Sequence, residues 1–396
     1  ASALLTAQSP ATPQPMHRVG GPARDGASAF PRVTYAEVTP KAPGQLDFQH
    51  YHSYDEVVSL LKGWTAKHPD LVELYSVGQS LEGREIWQIT IANKKNLKHT
   101  DRPAFFIEGG RHAGESSGIE ATLYFINHVL TNYGTDRAIT ALVDTKAIYA
   151  RPMNNPDGSS LYHLTAQTLR STVRPHDSDG DGLLDEDAGE DLDGDGFIRQ
   201  MRKFVGAGKG NAIKDPKDSK GRAMRRVANN EGDYEIYTEG LDTDGDGRYS
   251  EDGIGGLDLH RNYPENWRPM REETGRGQTQ GGAGEYPLSE PETRVVVMWM
   301  LTHPNVGVAN TMDTSVPMHL RPPSTCEETE CMFPSDLKLY QHFDSVGLSI
   351  TGYPWAGDVY RKYNTRIPVN PFTGDPARPS PLFGHSPDFG YFHLGA

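Results

Sequence analysis

Apolar residues recur along this chain with two periods, and the order in which those periods alternate predicts the elements. Ser53-x-x-Glu56 has the form of a helix-opening box, and Val57, Leu60, Leu61 and Trp64 follow three and four apart, which predicts a helix. Residues 71–77 and 85–92 read as strands, the second alternating Trp87, Ile89 and Ile91 with Gln88 and Thr90. Residues 103–107 form a nearly continuous apolar run ending in Glu-Gly-Gly, as a central strand does where it breaks into a loop. Ser117-x-x-Glu120 caps a second predicted helix with Ile119, Leu123, Ile126 and Leu130 on one face. Residues 147–150 supply another strand, Ser289-Glu-Pro-Glu292 opens a helix through Leu301, and 305–311 reads as a further strand. The alternation predicts an α/β fold, a mixed sheet with helices on both faces and a site at the strand ends.

Two stretches break the pattern. Residues 1–47 are rich in Ala, Pro, Gly and Ser without a sustained period and read as an irregular leader, so the folded domain is expected at 48–396. Residues 177–255 are Asp/Gly-rich with little hydrophobic periodicity and read as an acidic insertion within that domain. Much of the formal charge of −14 sits there, and no long Lys/Arg-rich run occurs, which argues against a nucleic-acid partner. No apolar run approaches the ~20 residues that span a bilayer. The start, Ala-Ser-Ala-Leu-Leu before a Ser/Pro/Gln-rich stretch, has the look of a processed signal peptide and predicts a secreted or periplasmic protein. The two cysteines, Cys326 and Cys331, are too few for a disulfide scaffold or a four-Cys zinc site; a local disulfide and two free thiols both remain open.

Candidate chemistry begins directly after the run at 103–107. His112 and Glu115, three apart in a glycine-bearing turn, can aim an imidazole nitrogen and a carboxylate oxygen at one metal ion; a catalytic zinc then needs a third protein ligand. Three further motifs follow in order: N-P-D-G at 155–158, D-L-H-R-N at 258–262 and M-D-T-S…L-R-P-P at 312–323. With G-R-H-A-G-E at 110–115, the series resembles the M14 zinc carboxypeptidases, the carboxypeptidase A-like family. The resemblance implies His112 and Glu115 as zinc ligands and hydrolysis of C-terminal peptide bonds by metal-activated water. Peptide or protein C-termini would be the partners.

The departures from that family's pattern are as informative. Counting back from Leu320-Arg321-Pro322, the position of its second histidine ligand holds Asp313, with His319 as a less favoured substitute because an extended segment would hold it about 20 Å away. Asp313 makes the implied set harder and more anionic than two histidines and a glutamate. Arg261 matches the arginine that grips the substrate carboxylate, while His260 stands where an asparagine is expected. Arg170 and Arg174 are both candidates for the catalytic arginine that polarises the scissile carbonyl. The segment 384–395 resembles the stretch before the strand that carries the family's general base, and no glutamate follows Glu330; the chain therefore reads as truncated before the catalytic glutamate. A catalytically inactive relative that binds peptide C-termini or calcium is the alternative reading.

Calcium enters through the insertion. Asp177, Asp179 and Asp181, then Asp191, Asp193 and Asp195, then Asp242, Asp244 and Asp246, each followed by glycine, have the alternation that wraps Ca²⁺ in an EF-hand loop. The twelfth positions are Ala188, Arg202 and Gly253, so none supplies the usual bidentate acid. About 100 residues separate Gly158 from Asp258, and a branch of the M14 family with such insertions is what the arrangement resembles.

Overall fold

The computed structural model describes residues 46–268, 282–369 and 374–395; the expected leader at 1–47 lies almost wholly outside the described residues. The chain divides into two compact units. The described part of the smaller comprises Thr165–Thr168 and Pro175–Gly255, and the remaining described residues form the larger.

In chain order the elements are α1 (Tyr54–Lys67), β1 (Val72–Gln79), β2 (Glu85–Ile91), β3 (Ala104–Gly109), α2 (Ser116–Asn132), α3 (Arg137–Thr145), β4 (Ala147–Arg151) and α4 (Pro156–Leu164). The smaller unit contributes β5 (Gln200–Phe204), β6 (Ala212–Lys214), β7 (Met224–Arg226) and β8 (Tyr234–Thr238). Then come α5 (Pro291–Leu301), β9 (Val306–Met312), β10 (Met318–Arg321), α6 (Glu328–Cys331), α7 (Pro334–Thr351), β11 (Trp355–Asp358) and α8 (Ser386–Phe389).

The main sheet of the larger unit has the order β1-β2-β4-β3-β9. β1, β2 and β4 are antiparallel neighbours, whereas β4, β3 and β9 run parallel. Strand periodicity of two divides the core in two. Ile107, Ile148 and Ala150 pack with Val57, Leu61 and Trp64 of α1 and Ile119, Leu123 and Ile126 of α2. Their strand neighbours Phe106, Ala147 and Tyr149 pack on the other face with Val296, Val297, Trp299 and Met300 of α5. Each large apolar side chain buried this way stabilises the fold by about 1.5–3 kcal/mol.

Three details differ from the sequence pattern. The polar residues of β2 are not a solvent face: Gln88 and Thr90 are buried. Both strand faces are covered, and Gln88 Oε1 accepts from the buried Arg151 Nε at 3.1 Å. Secondly, α2 begins at Ser116 with Glu115 as its N-cap, two residues ahead of the expected N-cap Ser117, because Glu120 is taken by His52. Its carboxylate accepts from the His52 backbone N–H and pairs with ring Nδ1, each at 2.8 Å. Thirdly, the insertion carries an antiparallel sheet, β5-β8-β6-β7, whose strands of three to five residues are too short and too exposed to show a period. Cys326 and Cys331 are joined as a disulfide. Among the described residues, no helix is long and apolar enough to cross a membrane.

Candidate metal centre

The parallel strands set the site. In register, Glu108 of β3 lies beside Arg151 of β4, and Gly109 beside Met312 of β9, so three carboxyl ends finish in a row. The chain leaves β3 through Gly110, whose φ of +61° and contacts to Ile119 and Met153 leave no room for a side chain. The turn is pinned by Asn154 N–H to Gly109 O at 3.0 Å and Asn155 N–H to Gly110 O at 2.8 Å. It delivers Arg111, His112 and Glu115 into the space beside Asp313, the residue that follows β9.

His112 is 1% exposed. Its Nε2 and Asp258 Oδ1 are 3.0 Å apart, which turns Nδ1 towards Glu115 Oε1 at 3.0 Å and Asp313 Oδ1 at 3.8 Å. Asp258 caps the turn at Leu259–Arg261 by accepting from His260 N–H at 2.9 Å; its other oxygen faces Arg170 Nε at 3.3 Å. Glu115 is held at both oxygens, by Arg170 Nη1 at 2.7 Å and the Thr314 backbone N–H at 2.7 Å. Asp313 Oδ2 contacts His260 Nε2.

Charge balance follows from this packing. Burial opposes a charge on His112, but Asp258 and Asp313 outweigh it and raise the imidazole to about 9. Burial alone would raise Asp258, yet His112, Arg261 and Arg170 hold it well below the carboxylate range. Asp313 is likewise held low against burial by His260 and His112, and Glu115 is lowered against burial by His112. His260 moves the other way, down to about 4, because burial and Arg111 outweigh Asp313.

Of the residues singled out in the sequence, His112, Glu115, Asp313, His260 and Arg170 meet here. Arg261 adjoins them, with Nε 3.9 Å from Asp258 Oδ2 and a buried Nη1 that has no hydrogen-bond partner among the described residues. Arg174 does not join the cluster: its Nε binds Glu290 Oε1 at 2.9 Å. His319 sits on β10 and pairs with Thr351 Oγ1 at 3.0 Å. His260, read from the sequence as a substrate-side residue, has its ring 4.9 Å from that of His112. Sequence reasoning gave no role to Asp258 or Arg111; a carboxylate two residues before His260 was the available signal for the first.

The three aspartate runs, in the smaller unit, each fold back on their own backbone. Gly182 N–H donates to Asp177 Oδ2 at 3.0 Å, Gly196 N–H to Asp191 Oδ2 at 2.8 Å and Gly247 N–H to Asp242 Oδ2 at 3.2 Å. The first two runs gather their own carboxylates, whereas Asp242 and Asp244 group with Asp187, and Asp244 and Asp246 with Asp179 and Glu251.

Residues 57–393 match the family model Peptidase_M14, zinc carboxypeptidase. The chain belongs to the zinc carboxypeptidase family. Carboxypeptidase D of Rattus norvegicus is 32% identical over 34% of this chain and 10% of its own length; carboxypeptidase A2 of the same species is 31% identical over 33% of this chain and 30% of its own length. The chain thus aligns with less than a third of these relatives. In fold it is similar to the carboxypeptidase A from Helicoverpa armigera, with a TM-score of 0.54 at 16% identity over 89% of this chain and 64% of that one. Thrombin activatable fibrinolysis inhibitor gives 0.50 at 17%, over 81% and 64%.

Membership in the zinc carboxypeptidase family implies zinc, and the residues present fit it. His112 Nδ1 and Asp313 Oδ1 are buried, face each other and have no hydrogen-bond partner among the described residues. Glu115 Oε1 lies within 3.0 Å of Nδ1 but off the line of a hydrogen bond, as two ligands of one ion do. Asp258 supplies the carboxylate behind the imidazole that such ligands need.

Proposed function

We propose that this zinc carboxypeptidase-family chain recognises the free C-terminus of a peptide or protein and hydrolyses its last peptide bond, with His112, Glu115 and Asp313 as zinc ligands. The observation that carries the reading is the facing pair of buried, unpartnered donors on His112 and Asp313. Zinc bound there would supply Lewis acidity towards the scissile carbonyl. Asp258 keeps the imidazole turned towards the ligand position. Arg261, with Nη1 unpartnered among the described residues, is suited to a bidentate grip on a terminal carboxylate. Arg170 rather than Arg174 is the arginine placed to stabilise charge developing on the carbonyl oxygen, because it alone of the two touches the site carboxylates.

A specific observation also favours a second reading, binding without hydrolysis. Glu115 is engaged at both oxygens by Arg170 and Thr314, Asp258 at both by His112 and Arg170, and Asp313 keeps only Oδ1 free, the atom proposed as a zinc ligand. A general base must have a lone pair free for the proton it takes. The experiment is to incubate the zinc-loaded chain with N-acylated dipeptides of varied last residue and follow the released amino acid. We expect turnover that a chelator stops and that Arg261→Ala weakens about tenfold or more through KM, the loss of a charge-assisted hydrogen-bond pair. Dipeptide binding without product would establish the second reading instead, and neither binding nor turnover would defeat both.

The reading includes calcium at the aspartate runs and a secreted or periplasmic location. The carboxylate groupings around Asp187, Asp244 and Glu251 support the first, and the Cys326–Cys331 bond fits the second, since disulfides persist in oxidising compartments. Calorimetric titration of the full chain with calcium chloride should show binding that weakens in Asp244→Asn, the residue shared by two groupings. Absence of any binding heat, with no change in Tm on adding calcium, would remove calcium from the reading.

A further inference from the structure

The family pattern leads one to expect asparagine at 260 and histidine at 313; this chain has histidine at 260 and aspartate at 313. Although 53 positions apart in sequence, the two side chains touch, His260 Nε2 against Asp313 Oδ2. An ionised carboxylate only accepts hydrogen bonds, and a guanidinium only donates them. Arg111 Nη1 lies 2.8 Å from His260 Nδ1 and 3.0 Å from Nε2, and Asp313 meets Nε2. Ser386 Oγ lies 3.3 Å from Nδ1, so both ring nitrogens have partners and Nε2 is the one that meets Asp313.

Arg111 is itself fixed. It is buried, ion-paired with Glu108 and bonded to Ser386 Oγ at 2.5 Å. The order along the contacts is therefore Glu108, Arg111, His260, Asp313, and it ends with Oδ2 occupied and Oδ1 unpartnered, 3.8 Å from the unpartnered Nδ1 of His112. The donor atoms of His112, His260 and Asp313 all lie within 4.8 Å of one another, near enough for His260 to be mistaken for a ligand. Its Nε2, however, is already taken up by Asp313 Oδ2.

We propose that His260 is the positioning residue of the metal site, holding Asp313 by Oδ2 so that Oδ1 becomes the ligand atom. Histidine thus stands at 260 rather than at 313, and its role changes with its place. At His112 a carboxylate supports a ligating imidazole; at Asp313 an imidazole supports a ligating carboxylate. Ligating carboxylates need such partners as much as ligating histidines do. The inference rests on the zinc site proposed above and goes beyond it by assigning the support of its third ligand.

X-ray absorption fine structure of the zinc-loaded full chain counts imidazoles directly, and we expect one per zinc in both the wild type and His260→Asn. Zinc affinity, measured by competition with a chromophoric chelator, should fall about 10- to 100-fold in His260→Ala. His260→Asn, which keeps a side-chain N–H for Asp313, should recover most of it. In Asp313→Ala the further change His260→Ala should add nothing. Two imidazoles in the wild type, falling to one in His260→Asn, would make His260 a ligand and overturn the proposal. Unchanged affinity in His260→Ala would overturn it too. A wild-type chain that binds no zinc would instead bring down the zinc reading underneath.

Discussion

Alanine at position 112 will empty the metal site: elemental analysis of the purified chain should find about one zinc per wild-type molecule and only background in His112→Ala, as expected for loss of a ligand from a three-ligand centre. The expectation rests on where His112 points. Asp258 holds Nε2 at 3.0 Å, so Nδ1 is the nitrogen facing Glu115 and Asp313, and no other described side chain is placed to replace it from the same turn. Zinc should raise the Tm of the wild type, because a ligand that binds the native state stabilises it by mass action. The same addition should leave the variant where it was. The substitution also strips a hydrogen-bond partner from buried Asp258, which costs about 1–3 kcal/mol and should appear as a lower Tm before any metal is added. Wild-type zinc content in the variant would place the metal elsewhere in the chain and defeat the site.

The second large effect is expected at a glycine with no chemistry of its own. A Cβ built at Gly118 meets the Met312 carbonyl oxygen at 2.1 Å, and one at Gly109 meets the Gly118 carbonyl oxygen at 2.4 Å. The first turn of α2 therefore rests directly on the ends of β3 and β9. Elsewhere in a helix, glycine to alanine is worth up to about 1 kcal/mol in favour of alanine. Here the added methyl must push backbone against backbone, and overpacking of this kind costs about 1–3 kcal/mol or more. Whichever element yields carries a proposed ligand with it, Glu115 at the start of α2 or Asp313 after β9. Gly118→Ala should thus lower the urea midpoint and weaken zinc binding by about tenfold or more, since sites tolerate only about 0.5 Å of displacement. Gly307→Ala, on the same strand with open space around its Cβ, is the control and should do neither. Equal behaviour of the two variants would mean that the contact of α2 with β9 does not hold the ligands in place.

Much of the fold was legible because its signals are local. Helix α1 follows from a box and four apolar residues; its box forms as read, with the Ser53 backbone N–H donating to Glu56 Oε2 at 2.8 Å. Strands β3 and β9 follow from short apolar runs. The elements that escaped are those whose cause lies far off in the chain. Glu120 is drawn from its expected capping role by His52, 68 residues away. The polar alternation of β2 suggests an exposed face, but Arg151, 63 residues on, buries it. No short-range period can report either event.

The same division runs through the site. Sequence by itself determined the ordered motifs and hence membership in the zinc carboxypeptidase family, the identity of His112 and Glu115 as neighbours in one turn, and the departures at 260 and 313, because each is a matter of spacing within a few residues. Tertiary structure alone decided the rest. It separated Arg170 from Arg174, set Asp258 behind His112 across 146 residues, and brought His260 against Asp313. These outcomes depend on strand register and on which donor meets which acceptor once water is excluded, and register is a property of β3, β4 and β9 together rather than of any one segment.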